Sequence, residues 1–201
     1  MSPVADDSHL IEQRLGGTTL LSGGFLEVRR DDVKLPDGST STREYIRHSG
    51  AVAVIPLLED GRCVLVRQYR YPIGKILLEW PAGKLDTGEQ QLACAMRELQ
   101  EETGYTALEW AYGGEIHNAP AYSDESIWLW FARGLVAGEK HLDEGEFVET
   151  VLMTPQEVDA LSLAGRLPDV KTQIGLNWLL QAQSGTRQLD WFSAQDAAGL
   201  S

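Results

Sequence analysis

The stretch that decides the reading of this chain is GKLDTGEQQLACAMRELQEETGY, residues 83–105. Leu92, Met96 and Leu99 recur at spacings of four and three, the apolar stripe of an amphipathic helix. Thr87 followed by Gln90 predicts a capping box at its start, and Gly104 after Thr103 supplies a stop. On that helix Glu98 and Glu102 stand at i,i+4 and Glu98 and Glu101 at i,i+3, so the carboxylates share one face. Like charges at such spacings weaken an isolated helix by about 0.2–0.5 kcal/mol per pair. Arg97 can offset part of this repulsion. Hard divalent cations, which prefer oxygen ligands, can offset the rest. Ions held there would grip diphosphate oxygens and activate a water. Gly83 and Gly88 would let the loop backbone come close to metal or substrate. A run such as ELQEE taken alone is most often a solvated acidic face.

The full pattern overrides that plain reading. Gly83, five residues, Glu89, seven residues, Arg97-Glu98-Leu99, one residue, Glu101-Glu102, one residue and Gly104 together resemble the complete Nudix box. Only Tyr105 departs from it, where an aliphatic residue is usual. The resemblance implies an α+β protein, an α/β/α sandwich with a mixed sheet, in which the box forms a loop-helix-loop. It implies metal ligation by Glu98, Glu101 and Glu102 with the Ala82 carbonyl, and Glu89 as a more distant or secondary ligand. Arg97 would orient a carboxylate of the cluster. The metal would be Mg²⁺, with Mn²⁺ an alternative, since octahedral oxygen coordination suits both.

Three stretches outside the box resemble the ADP-ribose pyrophosphatase group of that family. The first is VRQYRYPIGKILLEWPAGKLD, residues 66–86. By resemblance Arg70 would reach a phosphate or the terminal ribose, and Glu79 would sit near the metals. The second is PAYSDE, residues 120–125, which brings Pro120 and Glu125 to the substrate, with Ala121 where the group has glycine. The third is DEGEFVE, residues 143–149. The group draws its general base from this loop, which makes Glu146 the first choice and Glu144 the second. The resemblance also implies a base stacked between aromatic residues, with Phe25 and Tyr45 as candidates, and a homodimer formed through the N-terminal β region. The implied reaction is Mg²⁺-dependent cleavage of ADP-ribose to AMP and ribose 5-phosphate. GDP-mannose or another nucleoside diphosphate sugar is the alternative substrate.

Outward from the box, the pattern is of strands. Residues 17–30 and 40–48 are β-rich and flank Pro36-Asp37-Gly38, a turn signal. AVAVIPLLE (51–59) and RCVLVRQYR (62–70) flank Asp60-Gly61, which predicts a two-residue hairpin. Residues 76–80, 106–116, 126–136 and 147–154 read as further strands, and 155–165 and 170–183 as helices. Residues 1–15 read as a frayed leader. The expected organisation is an N-terminal β region at 1–48, a catalytic domain at 49–183 and a tail at 184–201. Strands, one helix, strands and two helices lack the regular βαβα alternation of a dinucleotide-binding fold.

Composition narrows the partners. Seventeen basic against thirty acidic residues give a net charge of −13, against nonspecific nucleic-acid binding, which needs a basic surface. A small anionic substrate stays compatible, because a bound cation reverses the local field. No apolar run approaches the roughly 20 residues of a membrane span, and no signal pattern opens the chain, so a cytoplasmic location is expected. Cys63 and Cys94 read as buried thiols. Trp110, Trp128, Trp130 and Trp178 read as core or dimer interface. His117, Asn118, Lys171 and Thr172 acquire no role at this level.

Overall fold

The computed structural model describes residues 7–142 and 144–195. They divide into two compact units, residues 7–48 with 119–125, and residues 49–118 with 126–195.

The first unit is an antiparallel sheet of β1 (Gln13–Ser22), β2 (Glu27–Lys34) and β3 (Thr40–Arg47), in that order. The β-rich run at 17–30 is two strands rather than one: the Gly23 amide donates to the Leu26 carbonyl at 2.8 Å and folds the chain back. The expected leader is also shorter, because β1 starts at Gln13, where Arg14 pairs with the buried Asp31. The turn at Pro36-Asp37-Gly38 forms as expected, with Asp37 Oδ1 accepting from the Ser39 amide at 2.9 Å. Residues 119–125 add to this sheet through a parallel bridge between Ile46 and Ser123 and the Asp124 carboxylate, which accepts from the His48 amide at 2.7 Å.

The second unit holds two sheets and three helices. In one sheet β10 (Val148–Met153), β5 (Cys63–Arg70) and β6 (Lys75–Glu79) lie side by side and antiparallel. In the other, the order is β11 (Phe192–Ser193), β8 (Tyr105–His117), β9 (Ser126–Ala137), β4 (Ala51–Pro56) and β7 (Ala82–Lys84). The β4–β9 pair is parallel and the rest antiparallel, so the sheet is mixed. The helices are α1 (Gln91–Thr103), α2 (Pro155–Leu163) and α3 (Val170–Gln183).

Strand β4 shows why the layers form. A continuous apolar run can be buried on both faces. Val52 and Val54 point into a cluster with Cys94, Ala95 and Leu99 of α1 and with Trp110 and Trp130. Ala53 and Ile55 point into the opposite cluster, with Leu65, Trp80, Phe131, Val158, Leu176 and Leu179. The same sheet is thus covered by α1 on one side and by α2 and α3 on the other. A bulge between Tyr112 and Gly114 shifts the phase of β8, so that Ala111 and Ile116 belong to the same cluster.

Two expectations fail here. The strands flanking Asp60-Gly61 do not form the expected hairpin: the turn is made, with a Leu57–Cys63 bridge and the Leu58 amide donating to the Arg62 carbonyl, but β4 and β5 then enter different sheets. Both edges of β4 are taken by β7 and β9, which leaves no edge for β5. The capping box at Thr87 is also absent. Gly88 adopts a left-handed φ of 80°, which interrupts a helical turn there, and α1 begins at Gln91 without a side-chain cap. Glu89 instead accepts from the Asp86 amide at 3.0 Å. The stop at Gly104 is as expected, with φ 79° and its amide donating to the Gln100 carbonyl.

The described residues of the tail pack on the second unit. Strand β11 pairs with β8, Arg133 lies 4.1 Å from the Trp191 ring centroid, and Arg187 lies 4.2 Å from that of Trp178. Both cysteines are buried and free.

Candidate active site

The acidic face of α1 lies over β7, and Gly83 makes the close approach possible. A Cβ at Gly83 would overlap the Glu98 carboxylate. On the neighbouring residue, the Ala82 amide donates to Glu102 Oε2 at 3.0 Å. The Pro-Ala-Gly segment therefore hydrogen-bonds one carboxylate of the helix and lies close against a second.

Arg97 is the hub of the rest. Its Nε and Nη2 donate to the two Glu89 oxygens, each at 2.9 Å. Its Nη1 donates to Glu98 Oε1 at 2.7 Å and Glu101 Oε2 at 2.9 Å. Nη2 also reaches the Lys84 carbonyl at 3.2 Å. One guanidinium thus joins three carboxylates, a use of its planar fork that lysine could not match. Arg97 thus touches the carboxylates that the sequence reading expects it to orient. Glu89, placed by the Gly88 turn rather than by a helix, is part of the same assembly.

The electrostatics of the carboxylates differ sharply. Burial pushes Glu98 up to about 7, with Arg97 opposing and Glu101 and Glu146 adding to the rise. Burial pushes Glu102 up to about 8, against the pull of the Ala82 amide, and Glu98 and Glu146 reinforce it. Glu89 goes the other way, held down at about 2 chiefly by its hydrogen bonds to Arg97. The donor set is all oxygen, and Glu102 is ion-paired with no cation among the described residues while Glu98 stays raised despite Arg97, which fits a hard divalent cation. Among the described residues no three such side chains converge on one point in this arrangement. Glu98 and Glu101 are turned onto Arg97 instead.

In the loop before β10, Glu146 is half-buried and Glu144 exposed. The charge of Glu146 acts on both Glu98 and Glu102, so it belongs to the electrostatic surroundings of the box. Asp143, in the same acidic stretch, lies outside the described residues.

A second constellation centres on Glu79, at the end of β6 and only 1% exposed. Arg70, at the end of β5, grips it with one edge of its guanidinium: Nε donates to Oε1 at 2.8 Å and Nη2 to Oε2 at 2.7 Å. Lys171 Nζ donates to Glu79 Oε2 as well, and to Asp169 Oδ1 at 2.9 Å. Burial favours the neutral form of Glu79, but the hydrogen bonds and charges of Arg70 and Lys171 outweigh it and hold the carboxyl below the usual range. The adjacent Trp80 is locked onto α3: its amide donates to Thr172 Oγ1 and its indole nitrogen to the Thr172 carbonyl, both at 3.1 Å. Asp169 caps α3 by accepting from the Thr172 amide at 2.9 Å.

Lys171, Thr172 and Asp169 were not among the site residues expected from sequence. A signal was available. A lysine in the first turn of a helix faces the positive end of the macrodipole, so its placement in DVKT asks for an anionic partner.

Four other expected residues belong to the first unit. The Tyr45 hydroxyl donates to Asp31 Oδ2 at 3.2 Å, a bond internal to the sheet. Phe25 is 69% exposed beside the β1–β2 turn. Pro120 is exposed in a turn where the Tyr122 and Ser123 amides donate to the Ala119 carbonyl. Ala121 fits that turn, since no described non-glycine residue has a positive φ. The Glu125 amide donates to Ser123 Oγ at 3.2 Å, and its carboxylate lies 3.7 Å from His48 Nε2.

Comparison with known proteins agrees with this architecture. Residues 47–173 match the NUDIX domain family, and residues 12–46 match the nucleoside diphosphate sugar hydrolase N-terminal domain. The chain is 40% identical over 170 residues to a methanol dehydrogenase activator of Bacillus methanolicus, covering 84% of this chain and 92% of that protein. It is 36% identical over 181 residues to an ADP-ribose pyrophosphatase of Bacillus subtilis (strain 168), covering 87% and 98%. Among solved structures, an ADP compounds hydrolase superposes with a TM-score of 0.77 at 22% identity, covering 88% of this chain and 97% of the other. That structure supports the fold.

Proposed function

Because this chain belongs to the Nudix hydrolase family, we propose that it hydrolyses the pyrophosphate bond of ADP-ribose, with Mg²⁺, to AMP and ribose 5-phosphate. The observation that carries the reading is the assembly of Glu89, Glu98 and Glu101 on Arg97, with Glu102 buried against Ala82, on the helix of an intact Nudix box. The relatives at 36–40% identity include an ADP-ribose pyrophosphatase that matches along nearly its whole length.

Glu98, Glu101, Glu102 and the Ala82 carbonyl would hold the cation, with Glu89 steadying Arg97. Mg²⁺, when bound, would draw charge from the diphosphate oxygens and lower the pKa of a coordinated water. Glu146 accepts the proton of the attacking water; its electrostatic reach to Glu98 and Glu102 favours it over the exposed Glu144. Arg70 presents positive charge to an anionic part of the substrate while Glu79 fixes its orientation. Phe25 and Tyr45 are the aromatic candidates for the adenine, and Pro120 and Glu125 shape the loop that the substrate meets.

The N-terminal β region would dimerise. Strand β1 exposes Leu15, Leu20 and Leu21, the kind of apolar edge strand that a partner covers. A monomer in light scattering contradicts this part. No helix among the described residues is long and apolar enough to cross a membrane.

A panel of ADP-ribose, GDP-mannose, ADP-glucose and NADH tests the substrate. The reading predicts the highest kcat/KM for ADP-ribose, with AMP as the nucleotide product. A preference for GDP-mannose or another nucleotide sugar would move the chain to the alternative reading.

A further inference from the structure

The Glu79 network extends beyond the residues expected to touch substrate, and it is balanced in an informative way. It contains two cations, Arg70 and Lys171, and two anions, Glu79 and Asp169. Glu79 is 1% exposed and Lys171 is 9% exposed, whereas the Arg70 side chain is 40% exposed. A buried carboxylate needs a counter-charge. Two cations converge on Glu79 Oε2, and only one of them faces solvent. Arg70 has five N–H donors, of which Nε and one on Nη2 are used on Glu79. The other three have no partner among the described residues.

We propose that Lys171 is a positioning residue: it serves as the resident counter-ion of Glu79, so that the charge of Arg70 is available to an anionic group of the substrate. The inference rests on the reading that Arg70 meets the substrate. With Lys171 in place, the buried carboxylate is neutralised from the α3 side and Asp169 holds the ammonium where it is needed. Glu79 then acts on Arg70 mainly as an orienting clamp. Without Lys171, Arg70 becomes the sole counter-charge of Glu79, and the network carries one net negative charge toward an incoming anion. Binding suffers and the chemical step does not, because among the described residues Lys171 is paired with Glu79 and Asp169 and not with the box carboxylates or Glu146.

The test uses the full chain with Mg²⁺ and compares Lys171→Met, Lys171→Arg and Arg70→Ala. Steady-state kinetics with ADP-ribose are paired with the Kd of a non-hydrolysable α,β-methylene analogue and with Tm. Lys171→Met is expected to raise KM and Kd roughly tenfold, about the weight of one charge-assisted hydrogen bond, while kcat changes less than about threefold. Lys171→Arg keeps the charge and is expected to bring KM back to within about threefold of the parent. If Lys171→Met does not fold, the same comparison is made with Lys171→Gln, which keeps a donor for Glu79 but not the charge. A fall in Tm with KM and Kd unchanged makes Lys171 a structural residue and overturns the proposal. So does a kcat loss with KM unchanged. Arg70→Ala separates the two failures: if it raises KM and the Lys171 variants do not, only this inference falls; if it leaves KM unchanged, the role of Arg70 falls with it.

Discussion

Glu102 of α1 and Ala82 of β7 are joined by a 3.0 Å hydrogen bond from the Ala82 amide to Glu102 Oε2. The bond ties an almost fully buried carboxylate to the backbone beside the acidic helix. One amide does not compensate the burial, and Glu102 is still pushed up to about 8, with Glu98 at about 7. Unfolded, both groups titrate near the ordinary 4.5. Between that value and about 8 the folded protein therefore binds more protons than the unfolded chain, and its stability falls as pH rises. A divalent cation on these carboxylates acts oppositely, since it displaces fewer protons at high pH. Thermal unfolding in EDTA should show Tm decreasing across this window, and the gain in Tm from Mg²⁺ should grow with pH. A Mg²⁺ gain independent of pH contradicts the account.

Arg97 spans Glu89, Glu98 and Glu101. Replacing it by lysine keeps the charge but cannot reproduce the fork. Arg97→Lys should lower kcat/KM by about 10²-fold, in the range seen when a residue orienting metal ligands is lost. Arg97→Ala should also destabilise the metal-free protein by about 2 kcal/mol, as charge-assisted hydrogen bonds are lost. Parent-like kinetics in Arg97→Lys would show that the fork has no part in the reaction.

Glu146 and Glu144 stand two residues apart, and Glu146 acts electrostatically on both Glu98 and Glu102. Glu146→Gln should lower kcat by roughly 10²–10⁴-fold with KM nearly kept, the weight of a general base. Glu144→Gln should stay within about threefold of the parent, below the range of general-base loss. The reverse order in single-turnover kinetics would transfer the role to Glu144.

Gly175 of α3 has no room for a side chain: a Cβ there meets Trp80 and comes within 3.3 Å of Ile55 Cγ1. Trp80 cannot yield, because two hydrogen bonds fix it to Thr172. Gly175→Ala should cost about 1–3 kcal/mol of stability by overpacking, read as a lower urea midpoint. An unchanged midpoint would mean that α3 slides without loss.

The parts of this molecule that were legible in the sequence are those written in local spacing. The α1 stripe of Leu92, Met96 and Leu99, the stop at Gly104 and the carboxylate face at Glu98, Glu101 and Glu102 all lie within one helix. Arg97 was legible for the same reason. The β4–β5 hairpin was misread because Asp60-Gly61 specifies a turn and not the partner of the strands beyond it; β9, some seventy residues on, takes the edge of β4. The start of α1 was misread because Thr87-Gln90 spacing says nothing of the backbone at Gly88. Lys171, held by Asp169, reaches Glu79 across ninety residues of sequence, a contact that no local pattern records.

The central claim is that the box carboxylates support metal-dependent cleavage of a pyrophosphate bond. The most direct measurement is AMP release from ADP-ribose by the parent and Glu102→Gln proteins, each with Mg²⁺ and with EDTA. The account predicts AMP and ribose 5-phosphate from the parent with Mg²⁺, none in EDTA, and a loss of at least about 10²-fold in Glu102→Gln with the protein still folded. Equal AMP release by the two proteins, or undiminished release in EDTA, would contradict it.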